Sequence, residues 1–264
     1  MLRAATALGA EGVVLSLPRV QSEGRSAPSL RSYGQRLSDL SLEPVAMQSP
    51  VGPDSNGRIF SGKERQKELH EELKLAGEVA LEVGARTVVF SSPGLRNGTF
   101  LENPTHFDEA TDFLLGLSEI GKHLGIRYMV EPCPEAYGCD FGRDLREVAT
   151  LLSSVGMSDG LGLHLNTASL MLEEEMMKAS LAAHGGSSYH IDVSDPFYRP
   201  MGEDSLTVHQ RIASVLGRLR EMGHGPRWIT VSGKRPRGYP EADLLPLLRA
   251  TMERVSSTYL QVAV

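Results

Sequence analysis

The chain has 264 residues, of which 41% are hydrophobic, and it carries a formal net charge of -6. This length suits one large domain with a single hydrophobic core. An acidic chain lacks the basic surface that nucleic-acid binding requires, so no nucleic-acid partner is predicted. The sequence also has no apolar run of the roughly 18 residues that a membrane-spanning helix needs, so no membrane partner is predicted.

Only two cysteines are present, Cys133 and Cys139. They are too few for a disulfide framework, and we interpret them as reduced thiols of a cytoplasmic protein. The first eight residues lack the continuous apolar core of a targeting peptide and lead into a predicted strand. We therefore interpret them as part of the folded structure.

Strand-like apolar segments alternate with segments of helical periodicity. In the helix predicted over residues 63–83, for example, Leu69, Leu73, Ala76 and Ala80 follow one helical face. Such alternation is typical of parallel βα units. The predicted strands are 12–17, 45–48, 87–90, 127–131, 161–166, 189–193 and 228–231. The predicted helices are 1–9, 29–40, 63–83, 107–124, 145–155, 170–183, 208–222 and 242–255.

This pattern predicts an α/β fold, a (β/α)8 TIM-type barrel in a single domain over residues 1–264. The first predicted element is a helix, so the barrel apparently lacks its first strand. Either that strand is absent or the start of the sequence has been placed too late. A gap in the barrel wall exposes the edges of the neighbouring strands, so we expect a homodimer or a substitute strand to cover them.

In such barrels the chemistry lies at the carboxyl ends of the strands. Glu131 follows the apolar segment Tyr128–Val130 and is the leading candidate for function, although a carboxylate there could also cap the next turn. Asn166 and Ser169 follow another strand; Asp and His in their places would indicate a divalent-metal site. We interpret the run Glu173–Glu175 as favourable negative charge at a helix N-terminus.

Four motifs, in order, resemble those of the xylose-isomerase-like superfamily of sugar isomerases and epimerases, above all the ketose 3-epimerase and hydroxypyruvate isomerase branch. The family motifs L-E-P, L-D-T-x-H-x-N-x-E-E, H-x-H-x-S-E-P and W-I-S-I-E are matched by Val130–Pro132, Leu165–Glu174, His190–Pro196 and Trp228–Ser232. The resemblance covers nearly the whole chain. It implies a barrel enzyme that transfers a proton next to a carbonyl group.

In that family four side chains hold one divalent ion, commonly Mn, Mg or Co. The matching positions here are Glu131, Asn166, Asp192 and Ser232, of which only Glu131 is unchanged. The set has lost negative charge, and hard divalent ions are held mainly by anionic oxygen. We therefore predict no tightly bound cofactor, with Glu131 and Asp192 as weak candidates for a loosely bound Mg²⁺ or Mn²⁺.

Side chains two apart on a strand share a face, which places His164 with Asn166 and His190 with Asp192. Three interpretations of these residues stay open. They could form a displaced metal site together with Glu131, or a metal-free acid/base group in which a carboxylate tunes a histidine. The histidines could also be hydrogen-bonded core residues without a role in chemistry.

We predict an isomerase or epimerase that abstracts a proton next to a carbonyl of a small sugar-like or keto-acid metabolite. Glu131 is the predicted base, with His190 and Asp192 as acid or polarising partners. The alternatives are a metal-free lyase, dehydratase or repurposed biosynthetic enzyme on the same scaffold, and a non-catalytic metabolite-binding or partner-subunit protein. The predicted substrate-binding residues, several implied by the resemblance, are Glu135, His164, Asn166, Ser169, Arg199, Ser232 and Lys234.

Overall fold

The computed structural model describes residues 2–52, 55–96, 105–156, 159–173, 177–233, 240 and 243–260. In these residues seven strands form one sheet in the order β1-β2-β3-β4-β5-β6-β7, and the registered neighbours pair in parallel. At least one helix follows each strand, as expected for a TIM-type barrel that lacks one of its eight strands. The strands are β1 (Gly12–Ser16), β2 (Glu43–Gln48), β3 (Thr87–Phe90), β4 (Arg127–Val130), β5 (Leu161–Asn166), β6 (Ser188–Val193) and β7 (Trp228–Val231).

The strands lie within two residues of their predicted bounds, and β3, β5 and β7 coincide with them. The described residues form ten α-helices, of which none is both long enough and apolar enough to cross a membrane. They are α1 (Leu2–Ala7), α2 (Leu17–Glu23), α3 (Ala27–Asp39), α4 (Lys63–Glu82), α5 (Thr105–Leu124), α6 (Leu145–Val155), α7 (Thr167–Leu172), α8 (Met177–His184), α9 (Leu206–Glu221) and α10 (Leu244–Tyr259).

Two helical segments differ from the prediction. Helix α2 begins where a strand end and a polar turn were predicted, because Ser16 is extended at the N-cap position and Pro18 occupies the first turn. Proline lacks an amide hydrogen and has a fixed φ, so it fits the first turn of a helix. The single helix predicted over residues 170–183 is instead two helices, and the first begins early because Asn166 caps it.

Burial differs between the strands. Strands β3 and β5 are buried along their whole length, whereas all four residues of β7 and three of the five residues of β1 are only half-buried. Within the described part of the chain, β1 and β7 each have one neighbouring strand. An unpaired strand edge leaves backbone N–H and C=O groups open to pairing. The prediction that a partner chain or a substitute strand covers these edges stays a prediction.

Internal contacts divide the chain into two compact units. The first comprises residues 1–143 and 147–163, and the second comprises residues 144–146 and 164–264. The predicted apolar face of α4 is buried in the first unit, and in the second unit α9 buries Ile212, Leu216 and Leu219. The prediction of one domain over residues 1–264 stays a prediction.

Glu173 follows the end of α7, so the prediction that it lies at the N-terminus of its own helix is wrong, and Glu174 and Glu175 lie outside the described residues. The Glu173 carboxylate instead accepts a hydrogen bond of 2.9 Å from the Leu145 amide at the start of α6. Helix N-termini have free amides that carboxylates stabilise. Burial, together with the charge of Asp144, raises the pKa of Glu173 to about 7, although the bond from Leu145 opposes this shift.

We expect Glu173 to make the protein less stable as the pH rises. Its pKa in the folded state lies above the ordinary value of 4.5, so its contribution is fully present at lower pH and is lost as the pH rises through 7. Glu173→Gln keeps an oxygen for the Leu145 amide and removes the titration. The free energy of unfolding of this variant, measured in urea, should exceed that of the wild type by about 1–3 kcal/mol at pH 8 and match it at about pH 4. A difference that does not change with pH would contradict this assignment.

Candidate active site

Strands β5 and β6 bring His164, His190 and Asp192 together in the second unit. His164 and His190 are fully buried, and Asp192 is 3% exposed. His164 Nε2 lies 3.1 Å from His190 Nδ1, and His190 Nε2 lies 3.0 Å from Asp192 Oδ1. His190 therefore stands between an imidazole and a carboxylate, each within hydrogen-bond distance of one of its ring nitrogens.

Thr230 completes this cluster, although it is not among the predicted site residues. It lies on β7 in register with Asp192, and its hydroxyl donates to Asp192 Oδ1. The same hydroxyl oxygen lies 2.8 Å from His190 Nε2. The sequence feature that could have indicated it is a threonine on β7 at the position paired with Asp192 of β6. We call Asp192, His190, His164 and Thr230 the Asp192 relay.

The relay keeps its carboxylate ionised. Burial alone would raise the pKa of Asp192, but the charge and hydrogen bond of His190, with help from His164 and Thr230, lower this pKa to about 2. An ionised Asp192 accepts from the protonated Nε2 of His190. This fixes the orientation of the His190 ring and leaves its Nδ1 facing His164 Nε2.

The relay can store and move a proton. When one proton lies between the two rings, Nε2 of His164 or Nδ1 of His190 can donate it to the other. If the imidazole pair takes up a further proton, the carboxylate of Asp192 stabilises the resulting positive charge. Histidine titrates in the physiological range and is the commonest acid/base side chain, so this arrangement suits proton transfer.

The relay residues could also hold a metal ion, because one ligand atom from each of His164, His190 and Asp192 lies within 4.8 Å of the others. The observed orientation does not favour coordination by all three. His190 directs Nδ1 at His164 and Nε2 at Asp192, and one imidazole coordinates a given ion through a single nitrogen. Binding through all three residues would break one of these two contacts.

Asn166 occupies a position where the family resemblance implies a metal-binding carboxylate. Its side-chain oxygen accepts a bond of 2.9 Å from the amide of Ala168 and so caps α7. The next residue, Thr167, ties this strand end to the end of β6, since its hydroxyl donates to the Ser194 carbonyl and accepts from the Ser194 amide. The side-chain oxygen that Asn166 could offer to a metal ion therefore already accepts a hydrogen bond that stabilises the start of α7.

The loop after β6 carries Asp195 and Arg199. Burial alone would raise the pKa of Asp195, but hydrogen bonds to His209, Ser205 and the amide of Gly202 lower it. The guanidinium-bearing side chain of Arg199 is exposed. Two residues of this loop, Phe197 and Tyr198, have φ of 62° and 59°, and each such conformation costs a bulky residue about 1–3 kcal/mol.

The other predicted substrate-binding residues have different surroundings. Ser169 is buried in α7, and Glu135 is exposed in a short helix, Glu135–Tyr137. Ser232 is half-buried after β7, and its amide donates to the Val193 carbonyl at 3.0 Å. Lys234 lies outside the described residues.

Glu131 belongs to the first unit, where it is 5% exposed directly after β4. A fully buried arginine, Arg96, holds its backbone in place. The Arg96 guanidinium donates to the carbonyls of Glu131 and Phe90, each at 2.6 Å, and the Glu131 amide donates to the same Phe90 carbonyl at 3.1 Å. Arg96 therefore joins the carboxyl ends of β3 and β4. Arg96 is not among the predicted site residues, because a single arginine in a loop has no distinguishing sequence pattern.

Cys133 and Cys139 form a disulfide, so the prediction of two reduced thiols is wrong. The turn between them brings their Cα atoms to 5.9 Å, which is within the range that a disulfide spans. Gly138 makes this turn feasible, since its φ of 83° is unfavourable for other residues. Neither sulfur is available as a thiol nucleophile in this form.

Asp192 should make the protein sensitive to acid. Because its pKa in the folded state lies below the ordinary value of 3.8, its contribution is present above that value and is lost as the pH falls through 2. This loss should be on the order of 2 kcal/mol in the free energy of unfolding. In Asp192→Asn it should be absent when urea unfolding is followed from pH 5 to pH 2.

Asp159→Asn is the matched control, because Asp159 is a fully exposed carboxylate paired with Arg127 at 3.2 Å. Exposed pairs contribute little to stability, so this variant should keep the acid dependence of the wild type. Equal acid dependence in Asp192→Asn and in the wild type would show that the relay does not stabilise the ionised carboxylate.

Solved structures of sugar epimerases are similar to this chain in fold. D-Psicose 3-epimerase in the presence of D-fructose has a TM-score of 0.79 and 12% identity, over 98% of this chain and 92% of that one. L-Ribulose 3-epimerase has a TM-score of 0.77 and 16% identity, over 99% and 88%. The IOLI protein with a bound zinc atom has a TM-score of 0.69 and 17% identity, over 98% and 92%.

At these identities the structural similarity establishes the fold alone. A sequence comparison with curated proteins finds no significant match. The family model of the xylose isomerase-like TIM barrel matches residues 2–248 and confirms both the predicted fold class and the resemblance. The chain belongs to the xylose isomerase-like TIM barrel family.

Proposed function

We propose that the protein is an isomerase or epimerase that moves a proton next to a carbonyl of a small sugar-like or keto-acid metabolite. The observation that carries this proposal is the Asp192 relay, in which a buried ionised carboxylate orients one buried imidazole, and this imidazole contacts a second one. Epimerisation requires a group that removes a proton and a group that returns one. A relay of two imidazoles and one carboxylate can do either, depending on where its proton lies.

The roles follow from this arrangement. His164 and His190 exchange a proton through their hydrogen bond, and Asp192 stabilises the charge that results. Glu131 is the carboxylate base that the family resemblance implies. Arg199, with an exposed guanidinium, is proposed to bind oxygens of the substrate. The proposal also draws support from the similar structures, two of which are named as sugar 3-epimerases.

We further propose that this chemistry does not use the tightly bound divalent ion of the family pattern. Asn166 uses its oxygen to cap α7, and Ser232 offers a neutral hydroxyl in place of a carboxylate. Asp192, the remaining acidic residue among the matched positions of the second unit, is engaged by His190 and Thr230. An amide, a hydroxyl and one engaged carboxylate are weak ligands for a hard divalent cation, which binds mainly to anionic oxygen.

A lyase or dehydratase on the same scaffold is the second candidate. Elimination next to a carbonyl begins with the same proton abstraction, so the relay supports it as well. The two reactions differ in product, because elimination releases water or another leaving group whereas epimerisation conserves the atoms of the substrate.

Proton exchange in D₂O tests the proposed function. The purified protein, treated with a chelator, is incubated with D-fructose, D-psicose, D-tagatose, L-ribulose or hydroxypyruvate, and NMR follows deuterium incorporation next to the carbonyl. We expect exchange with at least one compound. Glu131→Gln and His190→Gln should each lower its rate by about 10²–10⁴-fold, the usual contribution of a general acid or base.

His70→Gln is the control, because His70 is a half-buried histidine of the first unit that lies 2.9 Å from the Phe113 carbonyl. Its exchange rate should match that of the wild type. Exchange that disappears with the chelator and returns with stoichiometric metal would refute the metal-free part of the proposal. No exchange and no elimination with any compound would favour the non-catalytic binding alternative.

A further inference from the structure

The loop after β6 is closed at its base around Asp195. The Asp195 amide donates to the Arg199 carbonyl at 2.8 Å, and Asp195 Oδ2 accepts from the Gly202 amide at 3.0 Å. The Ser205 hydroxyl then donates to the Gly202 carbonyl at 3.1 Å. We call residues 195–202 the β6 turn. The amide and the carboxylate of Asp195 thus each hold a later part of its backbone.

The β6 turn holds two bulky residues in succession in the left-handed region, Phe197 at φ 62° and Tyr198 at φ 59°. Side chains with a Cβ rarely adopt this conformation, and it persists where the surroundings impose it. The turn displays an aromatic ring and a cation, because Phe197 is 60% exposed and Arg199 is also exposed. Strain of this kind is concentrated at sites that bind ligands.

Two buried residues of the helices anchor the turn from below. His209 of α9 and Tyr259 of α10 are both fully buried. His209 Nε2 lies 2.9 Å from Asp195 Oδ1, and His209 Nδ1 lies 2.6 Å from the Tyr259 hydroxyl. Burial, with the nearby charge of Asp195, raises the pKa of Tyr259 well above its usual value, so its hydroxyl keeps its proton.

The donors and acceptors of this anchor fit one arrangement. The Tyr259 hydroxyl donates to His209 Nδ1, and His209 Nε2 donates to the Asp195 carboxylate. In this arrangement each ring nitrogen of His209 has one hydrogen-bond partner. Removing the Tyr259 hydroxyl would leave a buried ring nitrogen without its donor.

We propose that His209 and Tyr259 are positioning residues that hold the β6 turn in its strained form for ligand recognition. In that form the turn presents the ring of Phe197 and the guanidinium of Arg199. The ring offers a surface for the C–H face of a sugar or carbon chain, and the guanidinium binds carboxylate, phosphate or hydroxyl oxygens. The ligand class rests on the proposed function, whereas the anchoring of the turn does not.

Limited proteolysis with chymotrypsin tests the anchoring without any substrate. Chymotrypsin cuts after aromatic residues where the backbone can adapt to its active site, and a rigid strained turn resists it. Cleavage after Phe197 and Tyr198, followed by mass spectrometry, should be about tenfold faster in Tyr259→Phe and in His209→Gln than in the wild type. Cleavage after Phe107, an exposed aromatic residue of α5 in the first unit, is the internal reference.

Thr251→Val is the matched control, because Thr251 is buried in the same helix as Tyr259 and bonds only to the Leu247 carbonyl of that helix among the contacts described. This variant should be cleaved at the wild-type rate. Unchanged cleavage at the β6 turn in both anchor variants would overturn the proposal. Equal acceleration at Phe107 and at the turn would also overturn it, because it would indicate general unfolding.

Kinetics test the role in recognition. With whichever compound exchanges its proton, Tyr259→Phe should raise KM by about fivefold or more and change kcat by less than about twofold, the pattern of lost binding. A lower kcat at unchanged KM would overturn a role in recognition. If no compound exchanges, the proposed function fails, while proteolysis still decides whether His209 and Tyr259 hold the turn.

Discussion

The site in the second unit depends on the burial of an ionised carboxylate at Asp192. Removing a carboxylate from water costs several kcal/mol unless partners replace its hydration. His190 supplies one partner from the same strand, two residues away on the same face, and Thr230 supplies another from the opposite position on β7. A shift of one residue in this register would turn Thr230 to the other face of the sheet and leave the carboxylate without its hydroxyl donor.

The same carboxylate explains how the fully buried imidazole of His190 is accommodated on β6. A buried imidazole needs a partner for each ring nitrogen. His190 obtains them from Asp192 and Thr230 on one side and from His164 on the other. The interpretation of these histidines as hydrogen-bonded core residues and the acid/base interpretation therefore describe the same contacts. The negative charge of Asp192 at the end of the relay favours the acid/base interpretation. A hydrogen bond with a purely structural role does not require a charged acceptor.

Much of the fold could be predicted because parallel strands buried on both faces are short apolar runs with sharp ends. Strands β3 and β5 are buried throughout, and their predicted bounds coincide with the observed ones. Helix α2 was missed because Ser16 and Pro18, which begin it, also suit a turn. Strand alternation placed His190 and Asp192 on one face, as observed, since it needs only the spacing of two.

The remaining contacts of the candidate site depend on residues that are distant in sequence. Thr230 meets Asp192 only through the register of β6 and β7, and Arg96 reaches the Glu131 carbonyl across 35 positions of sequence. The disulfide was missed for another reason. The prediction of thiols rested on the number of cysteines, whereas the bond depends on the local turn that brings Cys133 and Cys139 together.

The substitutions at the metal-binding positions of the family pattern are physically coherent. Without a cation, a carboxylate at position 166 would add a second buried negative charge at the strand ends that already hold Asp192, and like charges in a low dielectric are costly. An asparagine avoids this cost and still caps α7. Asp192 replaces a histidine of the family pattern, and His190, His164 and Thr230 stabilise its negative charge. The relay thus explains both how position 192 accommodates a carboxylate and why an amide at position 166 is compatible with it.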